Sequence, residues 1–235
     1  MSDFYSKITV PIAGDDPFGT DMNYDLDYER LKNEIGKLGD IDVEVVESAS
    51  LKILTEKSKD ARALAFLAYS MLRQNDFGRM ADVFCALAGY CENNIDQIYP
   101  RRQGAKVAAL RWFCEARFSG QCEKVTVTAD DVESTARLAD EILKLRSALD
   151  QKLSDSAPPL SLLSKRAAEW KKAAENAAKE PDPPAEPSAD AGSTKSAGGS
   201  VGQQITVDGD EFDEILQYVK KIETFITNLK QRTVV

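Results

Sequence analysis

The sequence predicts an all-α protein, with an N-terminal bundle of about six or seven helices, a flexible linker and a C-terminal amphipathic, heptad-like helix. Three observations carry that expectation. Apolar residues recur at alternating three-four spacing through most of the first 179 positions, the period of helices with one buried face. Strand-like alternation is confined to the short run KVTVT at 124–128. A low-complexity stretch at 180–204, EPDPPAEPSADAGSTKSAGGSVGQQ, lacks large apolar residues apart from Val201 and sets the bundle apart from one last periodic segment. The expected domains are therefore 1–179, 180–204 and 205–235.

In chain order, residues 1–28 read as an irregular arm, because Pro11, Gly14, Pro17, Gly19 and clustered aspartates punctuate turns. A helix follows at 28–38 on Tyr28, Leu31, Ile35 and Leu38, with Gly39 as its stop. A second covers 42–56, with Val43, Val46, Ala49, Ile53 and Leu54 on one stripe. The third begins in SKDARALAFLAYSMLR, 58–73, with Ser58 as N-cap and Asp60 in the first turn. Its apolar belt is so wide that it belongs at the centre of a bundle. Helices at 79–93 and 105–118 come next. Thr128 caps a sixth over 129–153, whose seam is Val132, Thr135, Ala139, Ile142, Arg146, Leu149 and Leu153. Pro158 and Pro159 break it, and a seventh, peripheral helix spans 160–179. The segment 210–232 carries Phe212, Ile215, Val219, Ile222, Ile226 and Leu229 as a further heptad seam, a candidate for self-association.

Composition narrows the function. The 235 residues carry a formal charge of −9, which argues against nucleic acid or an anionic membrane surface as the main partner. No apolar run approaches the roughly 18 residues of a bilayer span, and the N-terminus has no signal-peptide pattern, so neither membrane insertion nor export is expected and the location expected is cytoplasmic. The chain contains no histidine, which removes Ser-His and Cys-His catalysis and most zinc hydrolases. Cys85, Cys91, Cys114 and Cys122 form no CxxC pair and read as reduced, buried structural thiols. The aspartates Asp15, Asp16, Asp21, Asp25 and Asp27 fail as a calcium loop, since Leu26 stands where glycine is needed and Lys32 where the closing glutamate belongs. The expectation is thus of no catalytic, cofactor-binding or metal-binding residues and no cofactor. Arg62, a cation in the first turn of its helix, opposes the helix dipole at a cost of roughly 0.3–1 kcal/mol. Its expected compensation is a carboxylate from the arm, Asp21, which would pin the arm to the bundle.

These segments also carry a resemblance. Pro11-Ile12, the Pro17-Phe18-Gly19 turn, Asp21 and Tyr24-Asp25 resemble the opening of the ImpA N-terminal family, found in the TssA proteins of bacterial type VI secretion. Ser58, Lys59, Asp60 and Arg62 match its Ser-Lys-Asp-x-Arg segment, Tyr99-Pro100 its aromatic-Pro element, and Ala109, Leu110 and Trp112 its Ala-Leu-x-Trp helix. The resemblance covers about 8–118 and weakens through 179. It implies a non-enzymatic component that contacts the baseplate, the membrane complex or the tail tube and sheath during assembly of the contractile tail. Family members usually continue into a ring-building C-terminal domain, whereas this sequence ends at Val235, as a short variant or a fragment. The competing expectation is a generic helical adaptor outside secretion, which would need helix pairs at a constant period.

Overall fold

A computed structural model describes residues 2–179, and among these the protein is all-α, with nine α-helices and no strand. The linker and the 210–232 seam lie outside the described residues.

The first departure is at the N-terminus, where residues expected to be irregular form α1 (Asp3–Thr9). The Ser2 hydroxyl caps it by accepting from the Tyr5 N–H at 3.0 Å, and donates its own proton to Asp82. Ile8 is fully buried. The cap and the Phe4/Ile8 spacing signal this helix, but the Pro/Gly-rich stretch that follows outweighs so short a segment.

From Val10 the chain runs through turns that bury Ile12 and Met22, then enters α2 (Leu26–Ile35), capped by Asp25 and ended at Gly36. The helix stops earlier than expected, and Leu38 is wholly exposed. Next, α3 (Val43–Lys52) closes in a single π-turn, Ile53–Lys57. The central helix, α4 (Ala61–Arg73), is buried from Ala63 through Leu72. Its N-cap is Asp60, not Ser58: Ser58 sits in extended backbone and Asp60 accepts the Arg62 N–H at 2.8 Å. Asn75, at φ 55°, makes the turn into α5 (Phe77–Asn93), which Asp76 caps.

The helix expected at 105–118 is broken into α6 (Gln103–Arg111), one 3₁₀ turn at Trp112–Cys114, and α7 (Ala116–Cys122). Packing explains the break. In a straight helix Phe113 and Phe118 would lie about 140° apart around the axis. With Glu115 extended, both turn inward, their ring centroids 5.2 Å apart, and Phe113 also meets Phe84 at 5.1 Å. Trp112 then stands edge-on to Phe66, Tyr69 and Phe118 at 5.0, 5.4 and 5.6 Å.

Thr128 and Asp131 form a capping box ahead of α8 (Val132–Leu153). Its buried stripe runs through Leu138, Ile142, Leu145 and Leu149, so the seam passes through Leu145 where Arg146 was expected; Arg146 is exposed beside Asp150. α8 lies along α5 in the most extensive helix pairing of the bundle, and α9 (Ser161–Ala177) covers α8. Although peripheral, α9 buries Leu163, Ala167, Trp170 and Ala174, with Trp170 5.6 Å from Phe77. The 124–128 run forms no strand, and Val125 and Val127 pack against the core.

Candidate functional site

Part of the family motif, Gly19, Ser58, Lys59, Asp60 and Tyr99, meets in one clasp around Lys57–Asp60. A π-turn directs the Ser58 N–H to the Ile53 carbonyl at 2.8 Å, and the chain then leaves the helical path. Two other segments seize it. On one side the Thr20 N–H donates to the Lys57 carbonyl at 3.1 Å and the Lys59 N–H to the Phe18 carbonyl at 2.8 Å. On the other the Tyr99 N–H donates to the Lys59 carbonyl at 2.9 Å and the Ala61 N–H to the Tyr99 carbonyl at 2.7 Å. The Tyr99 hydroxyl closes the circuit by donating to the Gly19 carbonyl at 3.1 Å, and the Tyr99–Pro100 peptide is cis. Gly19 has φ 80°, and a Cβ there would lie 2.0 Å from the Lys57 carbonyl oxygen, so only glycine fits the clasp.

Lys59 is 1% exposed. Because the π-turn sends the Ser58 N–H to Ile53, the Leu54 carbonyl lacks its usual helical donor, and the Ile8 carbonyl belongs to the unsatisfied end of α1. The Lys59 ammonium donates to both, at 2.5 Å to Leu54 and 3.0 Å to Ile8. One buried side chain therefore caps two helix ends from different parts of the chain. Burial pushes its pKa down to about 8.

Asp60 is fully buried and holds Arg62 through two bonds, Nε to Oδ1 at 3.0 Å and Nη2 to Oδ2 at 2.6 Å. Arg62 reaches the arm mainly through Asn23, whose side-chain oxygen accepts from Nη1 at 2.8 Å, and lies 4.3 Å over the Tyr28 ring. The expected partner, Asp21, is half exposed and 3.9 Å away, so it is the weakest of these contacts. The dipole cost that singled Arg62 out is offset by the N-cap carboxylate itself, and the link to the arm is a hydrogen bond to an amide.

A second charged group fastens the start of α2. Lys57 contacts Asp25 at 2.7 Å and Asp27 at 2.6 Å, and Lys52 meets Asp27 at 2.9 Å. Hydrogen bonds from Lys57 and then Lys52 hold the Asp27 carboxyl below the usual carboxylate range, while the two carboxylates push Lys57 up. Three of the five clustered aspartates serve turns and caps: Asp25 caps α2, Asp21 accepts the Asn23 N–H at 2.9 Å, and Asp16 accepts the Phe18 N–H at 2.9 Å.

The remaining motif positions divide. Ile12 and Pro100 are buried and Trp112 is half-buried in its aromatic cluster, whereas Pro11, Pro17 and Tyr24 face solvent, Tyr24 entirely so. Phe212, Ile215, Val219, Ile222, Ile226 and Leu229 lie outside the described residues. Sequence reasoning missed Asn23, Lys57 and the buried Asp82, which receives Ser2 and Arg137; their roles depend on long-range contacts that no local spacing announces.

The thiols are partly as expected. Cys91 and Cys122 are buried, and burial pushes both up to about 12, whereas Cys85 and Cys114 are half-buried. All four are free, and their raised pKa values keep them protonated near neutrality. Among the described residues no three His, Cys, Asp or Glu side chains gather to hold a metal, and no helix is long and apolar enough to cross a membrane. Apart from the Ser58 hydroxyl, which is buried without a partner, the buried polar side chains of the clasp direct their bonds at backbone and at one another, an arrangement that fixes segments in place.

Comparison with known proteins agrees with this geometry. Residues 9–115, which include the clasp apart from Ile8, match the family described as ImpA, N-terminal, type VI secretion system. No curated protein matches the chain. Among solved structures, the fold is similar to the N-terminal domain, including the conserved ImpA_N region, of the TssA component of the type VI secretion system from Burkholderia cenocepacia. The TM-score is 0.65 at 13% identity, over 76% of this chain and 95% of that one. Residues 9–115 thus carry the match to the ImpA N-terminal family, and the fold around them is that of the TssA N-terminal domain.

Proposed function

We propose that the protein is a non-enzymatic, cytoplasmic component of a type VI secretion system, acting in assembly of the contractile tail by docking to the baseplate, the membrane complex or the tube and sheath. The observation that carries this reading is the family match over 9–115, the region in which the clasp orders the arm, α2, α3 and α4. In this reading the bundle is the docking module, and the seam from Phe212 to Leu229 supplies a contact between copies.

The test is genetic. Deleting the gene in its host should abolish assembly of fluorescent sheath and release of a secreted effector, and the wild-type gene supplied in trans should restore both. Normal sheath assembly in the deletion strain would refute the reading and favour a helical adaptor outside secretion. Light scattering on the full chain tests the seam, which predicts an oligomer that Ile222→Asp reduces to a monomer.

A further inference from the structure

The charge of the protein is unevenly placed. Residues 101–124 carry six Lys and Arg against two Glu, in a chain whose formal charge is −9. Two of these cations are already engaged: Arg101 pairs with Asp16, and the Lys106 ammonium donates to the Ile95 carbonyl. Arg117 and Lys124, on and just after α7, make no ion pair among the described residues, and neither does Arg73 at the end of α4. All three line one open cleft of about 760 Å³ between α4, α7 and the turn after α2.

The cleft also has an apolar component. Tyr69 reaches it only by an edge, being 4% exposed with its ring packed on Trp112 at 5.4 Å and Phe118 at 6.2 Å. Leu38 stands at its edge, 102% exposed. An Arg117 N–H donates to the Lys37 carbonyl at 2.6 Å, tying α7 to the turn that presents Leu38. A fully solvated leucine beside three cations that have no ion-pair partner among the described residues is a surface that an acidic, partly apolar segment complements. Asp40 and Glu123 share the cleft, so the cations outnumber the carboxylates by three to two.

We propose that this cleft docks an acidic segment of a partner protein, with an apolar side chain seated against Leu38 and carboxylates paired to Arg73, Arg117 and Lys124. The proposal rests on the docking role above and names the surface and the chemistry of the partner. A polypeptide is favoured over a bilayer or a nucleic acid on charge density. Three cations fall short of the about four to eight of a polybasic lipid site, and a −9 chain repels extended phosphate surfaces at long range.

The test is fluorescence anisotropy with the full chain and a labelled peptide of about a dozen residues, mostly Glu with two Leu. The expected result is saturable binding that weakens as salt rises. Arg73→Glu and Leu38→Ser should each weaken it about tenfold or more, while Arg30→Glu, on exposed α2 outside the cleft, leaves it unchanged. Arg73 makes no ion pair among the described residues, so its reversal should leave the fold and its circular dichroism intact. Absence of saturable binding, or equal binding by Arg73→Glu and Leu38→Ser, overturns the proposal. So does tighter binding of phosphatidylserine vesicles or duplex DNA than of the peptide. None of these outcomes alters the deletion phenotype, so this surface can fail while the secretion role stands.

Discussion

Lys59→Met tests the clasp at its most demanding point. In the folded protein the Lys59 pKa lies near 8, against about 10.4 for a free lysine. Between those values the unfolded chain holds a proton that the folded chain does not, so folding stability rises with pH across that interval. The full difference corresponds to roughly 3 kcal/mol, of which about 2 kcal/mol is recovered between pH 7 and about pH 9.5. The neutral amine still has two N–H groups for the Leu54 and Ile8 carbonyls, so the caps survive deprotonation. Methionine removes both caps at every pH, and each stranded buried carbonyl costs about 1–3 kcal/mol. The gap in stability between wild type and Lys59→Met should therefore widen by about 2 kcal/mol from pH 7 to pH 9.5. Urea titrations at the two pH values, followed by far-UV circular dichroism, measure it, and the titrations of tyrosine and cysteine cancel in the difference. A gap that does not change with pH would mean Lys59 stays charged in the core, and the burial argument would fail.

Other residues of the clasp give sharper yes-or-no outcomes. Gly19→Ala places a methyl 2.0 Å from the Lys57 carbonyl oxygen at φ 80°, and should destabilise by more than about 2 kcal/mol, read as a lowered thermal midpoint. Arg62→Ala strands the buried Asp60 carboxylate and should cost about 2–3 kcal/mol, whereas Asp21→Ala, on a half-exposed residue 3.9 Å from Arg62, should cost less than about 0.5 kcal/mol. Equal losses for the two would restore Asp21 as the main pin. Arg146→Ala should be neutral within about 0.5 kcal/mol, because Arg146 is outside the α8 core stripe and only 3.8 Å from an exposed Asp150.

Helices with long apolar periods were legible because period and burial report the same fact. α4 is the clearest case, its uncharged run being the one stretch buried on every side. The errors fall where a tertiary contact outweighs local preference. Ser58 is a good cap by residue type, but it lies extended in a bridge opposite Gly19, so the cap passes to Asp60 two residues on. The α6–α7 break has no proline or glycine to announce it and comes from two phenylalanines that must face one core. In α8, stepping strictly by three and four from Ile142 lands on Arg146, while the bundle uses Leu145 and leaves the arginine in water. The clasp was legible only in part: Lys59 could be singled out, but its two carbonyl partners, 51 and five residues away, appear only once the chain is folded.

That burial bears on where function resides. Ser58, Lys59 and Asp60 are at most 1% exposed, so the segment that most clearly marks the family cannot touch a partner. It acts one step earlier, by fixing α1 to the π-turn, the arm to α4, and the Tyr99 loop to both. Contact with other proteins must come from residues the clasp leaves outside. Tyr24 and Leu26 flank Asp25, which Lys57 holds, and Leu38 follows the helix that Asp25 caps. The physical consequence is that a lesion in the clasp and a lesion at the surface should separate in experiment. Gly19→Ala should lower stability and, through it, abundance in the cell. Leu38→Ser should leave folding untouched and remove only the affinity for an acidic partner. If Leu38→Ser lowered the thermal midpoint as much as Gly19→Ala, that separation of roles would be wrong.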